Sequence, residues 1–207
     1  MMGKLLEYMK AYSMLRRHGI RALDAKYVSS AADAIDFSSG KPIVLKAISE
    51  KALHKSKNGL VKLNLSTERD IRSAYADLES RARNLKPYKI LAQRMVTNGL
   101  EIIVGGNTDP QFGKMVLLGL GGIYVETFKD FALRVCPITR NDAESMISQL
   151  RSRAIVAPDP ATEKMIADLL LDVSNMLTKE QGISELDLNP VILHDGTYDA
   201  VDLRVIE

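Results

Sequence analysis

Cysteine occurs once, at Cys136, tryptophan is absent, histidine occurs three times, and all aromatic residues together make up 5% of 207 positions. A single cysteine excludes an internal disulfide and a cysteine-based zinc site, so a reducing, cytoplasmic setting is the expectation. No apolar run reaches the roughly 20 residues that cross a bilayer. Met1-Met2-Gly3-Lys4 passes at once to Glu7 and Lys10, which leaves no apolar signal core. An excess of one charge is missing too, since 28 Lys and Arg stand against 26 Asp and Glu, a net charge of +2. That balance speaks against nucleic acid or a membrane as partner, and any anion site must be local. Also missing is a Gly-Lys-Ser/Thr sequence, and with it the P-loop.

What is present is an ordinary globular balance, 46% hydrophobic and 26% charged, in a chain long enough for one large domain or two small lobes. Leu5, Leu6, Met9, Tyr12 and Leu15 recur at helical spacing and Gly19 comes after them, which predicts a capped amphipathic helix. A short strand at 26–28, a helix opened by Ser29 or Ser30, a buried strand over 43–48 and another over 60–65 come next. Thr67 with Asp70 opens a long helix to about Leu85. Beyond Ile90 strands dominate, at 90–96, 100–104, 115–118 and 131–135, with Asn107 to Pro110 as a connection. Helices are expected from Asn141 and from Asp159-Pro160 to about Leu177. The class is α+β (α/β), with a change of texture near residue 90.

The end of the chain holds a concentrated chemical signal. In a strand, Glu185, Asp187 and Asn189 share one side while Leu186 and Leu188 share the other. Asp195-Gly196, flanked by alternating apolar residues, predicts a tight hairpin. With these two at its centre, facing residues have numbers that sum to 391, so Asn189 faces Asp202 and Asp187 faces Arg204. Such oxygen donors suit Mg²⁺, which keeps waters and phosphates of its own. The same row also reads as a solvated strand face with an Asp187–Arg204 pair.

Gly119-Leu120-Gly121-Gly122 comes after an apolar strand, where glycines let backbone approach a ligand or simply make a bend, and Glu126 lies just beyond. Ile123, Tyr124 and Val125 are β-branched or aromatic, unlike the helix opening of a dinucleotide fingerprint. Lys46 near the end of an apolar strand offers a cation on a rigid element, or a snorkelling surface lysine. His54-Lys55-Ser56-Lys57-Asn58-Gly59 joins an imidazole to two ammonium groups and a flexible glycine. Histidine titrating near neutrality can take up a phosphoryl group. His18, in a helix end, and His194, in a turn, read as structural.

The order of VLKAISEKALHKS from Val44, DPQFGKMVLLGLGGIYVE from Asp109, FALRVCPIT from Phe131 and ELDLNPV from Glu185 resembles the β subunit of ADP-forming acetyl-CoA synthetases, which are ATP-grasp proteins. The resemblance spans nearly the whole chain. It implies an ATP-grasp fold of two lobes gripping ATP or ADP with Mg²⁺, divided here as 1–92 and 93–207, and a hetero-oligomer with a CoA-binding α subunit. It further implies that His54 is the phosphoryl acceptor and that Lys46, Gln93, Met95, Glu101, Gly119, Gly121, Gly122 and Glu126 hold nucleotide. Asn189 and Asp202 match the metal ligands of the related succinyl-CoA synthetases, and Asp187 on the same strand face is a third candidate metal ligand. Two departures stand out: Lys57-Asn58-Gly59-Leu60 replaces the usual acid and paired glycines, and Arg151-Ser152-Arg153-Ala154 stands where the family carries Gly-x-Arg-Gly. Rival readings are an ATP-grasp carboxylate ligase, which needs neither His54 nor an α partner, and a non-catalytic nucleotide-sensing subunit.

Overall fold

The computed structural model describes residues 3–49, 59–122 and 130–207. They form two compact units, one of residues 23–97 and one of residues 1–22 together with 98–207. This differs from a division at 92/93: the break falls five residues later, and the first helix belongs with the C-terminal part.

In the smaller unit a four-stranded antiparallel sheet runs in the order β1 (Ala25–Val28), β4 (Lys89–Arg94), β2 (Ile43–Ile48), β3 (Val61–Leu65). Two helices, α2 (Ala31–Ser38) and α3 (Glu68–Ala82), pack on one face of it. Ser30 caps α2 through its side chain, and Thr67 and Asp70 form a reciprocal capping box on α3. Both starts are where the residue types place them. Ile43, Leu45, Ala47, Ile90 and Ala92 turn toward Ile71, Tyr75 and Leu78 of α3 to make the core. Strand alternation sends Val44, Lys46, Leu91 and Gln93 to the opposite face.

The larger unit has a six-stranded antiparallel sheet. Its path runs β10 (Leu203–Ile206), β8 (Glu185–His194), β5 (Leu100–Asp109), β6 (Gly113–Leu120), β7 (Phe131–Val135), with β9 (Thr197–Ala200) pairing with β8 as well. β5 runs on through Asp109, so Asn107 to Asp109 is strand and only the three residues after it turn. Helices α4 (Arg140–Gln149) and α6 (Pro160–Lys179) cover one face, joined by the short α5 (Arg153–Val156). Ile166, Leu170, Val173 and Leu177 of α6 are fully buried, as are Ile102, Val104, Val116 and Leu118 of the strands it packs on, β5 and β6. No helix among the described residues is long and apolar enough to cross a membrane.

The N-terminal segment is held in this unit by backbone and by a charge cluster around the buried Asp199. Helix α1 (Tyr8–Arg17) ends at Gly19, Leu5 bridges Ile206, and Ala22 bridges Ala200. The Asp199 carboxylate accepts from the Arg21 guanidinium at 3.3 Å and meets His194 Nε2 at 2.9 Å, while the Arg21 amide donates to the Tyr198 hydroxyl. His18 contacts Glu180 at 2.9 Å. Both histidines are thus engaged with carboxylates in the framework. Asp199→Ala leaves Arg21 and His194 without that acceptor, and a loss of about 1–3 kcal/mol is expected in urea unfolding, with α1 the first region to lose hydrogen-exchange protection.

Candidate nucleotide and metal site

The hairpin has the register derived from its turn. His194 pairs with Thr197 and Val191 with Ala200, then Leu188 pairs with Leu203 and Asp187 with Arg204. Between these two stretches the ladder opens at Asn189-Pro190 and Val201-Asp202. There the Asn189 amide donates to the Asp202 carbonyl at 3.2 Å and the Val201 amide to the Pro190 carbonyl at 2.9 Å. On its other side β8 carries a bulge: Ile102 pairs with Val191 but Val104 with Leu188, so two residues of β8 face one of β5. Asn189 is exposed at this bulge, while Leu186 and Leu188 are buried.

Electrostatics around the row are consistent with a cation site. Burial pushes the Asp187 carboxyl above its usual range, Arg204 works against the shift, and the neighbouring Glu185 and Asp202 charges add to it. Arg204 itself forms an ion pair with Glu185 at 3.3 Å. The Glu185 end of the row is therefore the ion-paired strand face, and the oxygen-rich end lies toward Asp187, Asn189 and Asp202. Among the described residues no three His, Cys, Asp or Glu side chains converge as a self-sufficient metal site. Two carboxylates and an amide fit a Mg²⁺ ion that is completed by water and phosphate, rather than one caged by protein alone.

The glycine run has a steric reason. The Gly121 amide donates to the Glu101 carbonyl at 2.9 Å, and a Cβ on Gly121 would stand 2.7 Å from the Glu101 carbonyl carbon. Only glycine lets these two backbones meet, so Glu101 and the glycine run form one corner. Gly119 lies within β6, against Asp130 and Phe131, and Gly122 is exposed beside the Glu101 carboxylate. On the sheet face turned away from α4 and α6, Met115 and Leu117 of β6 neighbour Leu133 and Val135 of β7, whose side chains are exposed. This face grades from oxygen donors on β8 to apolar side chains on β7.

In the smaller unit Lys46 is only 4% exposed and Gln93 is fully buried, both on the face opposite α2 and α3; Met95 comes directly after β4 and is half-buried. Lys46 is therefore a strand-held cation and not a surface lysine. His54 and Glu126 lie outside the described residues.

Asp130 escaped the sequence reading. Its side chain, 6% exposed, accepts from the Arg151 amide at 2.9 Å and the Ser152 amide at 2.8 Å, and its carbonyl accepts from Leu120. It thus ties the glycine strand to the segment that stands in place of Gly-x-Arg-Gly. No spacing rule links positions 21 residues apart, although an acid just before a strand was a visible cue. Burial raises its carboxyl, and the Ser152 and Arg151 donors outweigh that, so the net position is below the ordinary range. A lowered acid stabilises the fold above the unfolded-state value of about 3.9, and that contribution is lost as pH falls through the lower folded-state value. Asp130→Asn should melt below the wild type at pH 7, and the gap should close as pH drops below about 4. A gap independent of pH would assign the loss to packing alone.

Comparison with known proteins matches the description ATP-grasp domain over residues 2–206. The chain is 36% identical to the acetate–CoA ligase [ADP-forming] I subunit beta of Pyrococcus furiosus, over 95% of this chain and 89% of that one. It superposes with a TM-score of 0.90 and 34% identity on a Korarchaeum cryptofilum dinucleotide-forming acetyl-coenzyme A synthetase 1 in complex with coenzyme A and Ca-AMPCP, covering 99% of this chain and 93% of that one. Another structure of that protein, with Mg-AMPPCP and a phosphohistidine segment pointing towards the nucleotide binding site, gives a TM-score of 0.84 at 33% identity, over 98% and 92% of the two chains. With the domain matched from end to end and this identity across both lengths, the chain belongs to the ATP-grasp family, among the β subunits of ADP-forming acetate–CoA ligases.

Proposed function

We propose that this chain is the nucleotide-binding, phosphoryl-transferring β subunit of an ADP-forming acyl-CoA synthetase. With a CoA-binding α subunit it interconverts acyl-CoA, ADP and phosphate with the free acid, CoA and ATP. The reading is supported by the hairpin register, in which the Asn189 amide donates to the Asp202 carbonyl two residues beyond Asp187, in a chain that matches such β subunits over nearly its whole length. A bound Mg²⁺ supplies charge neutralisation and a template for phosphate oxygens.

The chain's own residues divide the remaining work. The Lys46 ammonium, held on a buried strand, attracts phosphate from a rigid element, where little reorganisation accompanies the reaction. The corner of Glu101 and Gly121 keeps side-chain bulk away from the end of β6, and the apolar side chains of β6 and β7 suit a nucleobase better than phosphate. His54 carries the phosphoryl group: toward ATP, the nitrogen–phosphorus bond breaks as an oxygen of the ADP β-phosphate bonds phosphorus, and the ring is left neutral once it has given up its group. Phosphoryl transfer rewards positioning and charge neutralisation more than covalent machinery, which matches this division.

Labelling with γ-phosphate-marked ATP separates the readings. Acid-labile label on this chain is expected in the wild type and absent in His54→Ala, with nucleotide affinity retained because Lys46 and the hairpin remain. Mg-ATP binding without any phosphate on His54, even with the α subunit and substrates present, would sink the synthetase reading in favour of a carboxylate ligase or a sensing subunit. Asp202→Asn should lower turnover on the order of 10²-fold with an unchanged melting curve. Full turnover with unaltered Mg²⁺ dependence in that variant would show the hairpin face to be merely solvated.

A further inference from the structure

In the smaller sheet β2 and β3 are neighbours, and near the place where they part the Ala47 amide donates to the Leu60 carbonyl at 2.9 Å. His54 lies in the stretch of chain that joins them, and Lys46 stands on β2 just before that stretch begins. Ser49 and Gly59, the described residues at its two ends, therefore set where it leaves and rejoins the sheet relative to the Lys46 ammonium. Both ends meet the same element, the last turns of α3.

At the leading end the buried Ser49 donates its hydroxyl to the Leu85 carbonyl at 2.6 Å, in the single turn of 3-10 helix (Arg83–Leu85) that continues α3. At the trailing end Gly59 takes a φ of 67°, and a Cβ there would stand 3.0 Å from Arg81 Nη1 and 3.4 Å from the guanidinium carbon. Bare backbone thus lies against the Arg81 side chain, where only glycine fits without a shift. Arg81 is held in its turn: its Nε donates to Asp77 Oδ2 at 2.7 Å, one helical turn earlier, and Lys62 Nζ of β3 reaches the same oxygen at 2.5 Å. The Arg81 donor first, and Lys62 after it, hold the Asp77 carboxyl below its usual range, so it stays ionised between them. Lys62 pairs with Leu45 of the core, so these ties come from the helix side of the sheet, opposite to Lys46. An exposed ion pair of this kind adds little to stability, so its effect on the fold and its effect on the place of Gly59 are separable.

We propose that Ser49 and Arg81 are positioning residues for phosphoryl transfer, tying the two ends of the His54 stretch to α3 and so setting how the imidazole meets a phosphate held at Lys46. The inference rests on the reading of His54 as the phosphoryl carrier. In the step concerned, one ring nitrogen of His54 bonds the γ-phosphorus as the bond from phosphorus to the ADP β-phosphate oxygen breaks, and the ring keeps its proton on the other nitrogen. A misplacement of about 1 Å in such a transfer costs on the order of 10²-fold, so ties at the stem act on its rate without touching the nucleotide.

Single-turnover labelling of the full chain with γ-phosphate-marked Mg-ATP yields a rate constant, a final amount of label and the ATP concentration of half-maximal rate. In Arg81→Ala and in Ser49→Ala the rate constant at saturating ATP should fall about tenfold or more, with the final label and the half-saturating concentration unchanged. A variant that had merely unfolded in part would do the reverse, losing label and keeping its rate constant, and thermal melting checks the folded fraction. Arg72→Ala removes another arginine of α3, paired with Glu68 at 3.4 Å, and should leave all three values at wild type. Gly59→Ala and Arg81→Ala should combine non-additively, because the new Cβ and the guanidinium compete for one place. A wild-type rate constant in either Arg81→Ala or Ser49→Ala, or a loss confined to the final label, overturns the inference, and labelling of the wild type then still upholds the phosphoryl-carrier reading. No label on wild-type His54, even with the α subunit present, overturns both.

Discussion

A two-residue turn at Asp195-Gly196 sets the register on which the chemistry of the larger sheet depends. Both residues take positive φ, 46° and 70°, the combination whose twist matches that of the flanking antiparallel strands. Because side chains alternate, a slip of one residue would carry Leu186, Leu188, Leu203 and Val205 to the solvent side and put Glu185 and Asp187 into the core. Burying unpaired carboxylates costs several kcal/mol apiece, so the apolar pattern and the turn enforce the same pairing. The turn and the leucines hold the register, and the oxygen donors take their places as its by-product.

Local irregularity then adjusts that regular frame. The bulge at Asn189-Pro190 absorbs one extra residue against β5, and the facing strand opens at Val201-Asp202 to match. Bulges of this kind bend a strand and re-aim a side chain without changing the pairing on either side. Asp187 sits beside the bulge, where burial first and the Glu185 and Asp202 charges after it push its carboxyl up, against the opposing pull of Arg204.

Both sheets use their two faces in the same way. Helices α2 and α3 on one sheet, and α4 and α6 on the other, cover one face with apolar contacts, which leaves the second face to carry Lys46 and Gln93 in one unit and the acid row in the other. Asp130 and the Glu101–Gly121 corner then brace the end of β6, where glycine removes side-chain bulk and the braces replace the order that bulk would have given.

Sequence by itself determined the elements whose causes are local. Capping at Ser30, Thr67 and Asp159, the apolar run of 43–48, the Asp-Gly hairpin and its alternating leucines all act within a few residues, and the register came out of the turn position by arithmetic. The family motifs carried the rest of the functional reading. Only the tertiary structure decided the features that join distant positions. The return of residues 1–22 to the C-terminal unit shows in Leu5 bridging Ile206, Ala22 bridging Ala200 and Arg21 meeting Asp199, and the bracing of the glycine strand in Asp130 meeting the amides of Arg151 and Ser152. Such contacts have no periodicity to betray them, because each is set by how whole elements pack and not by the spacing of residues along the chain.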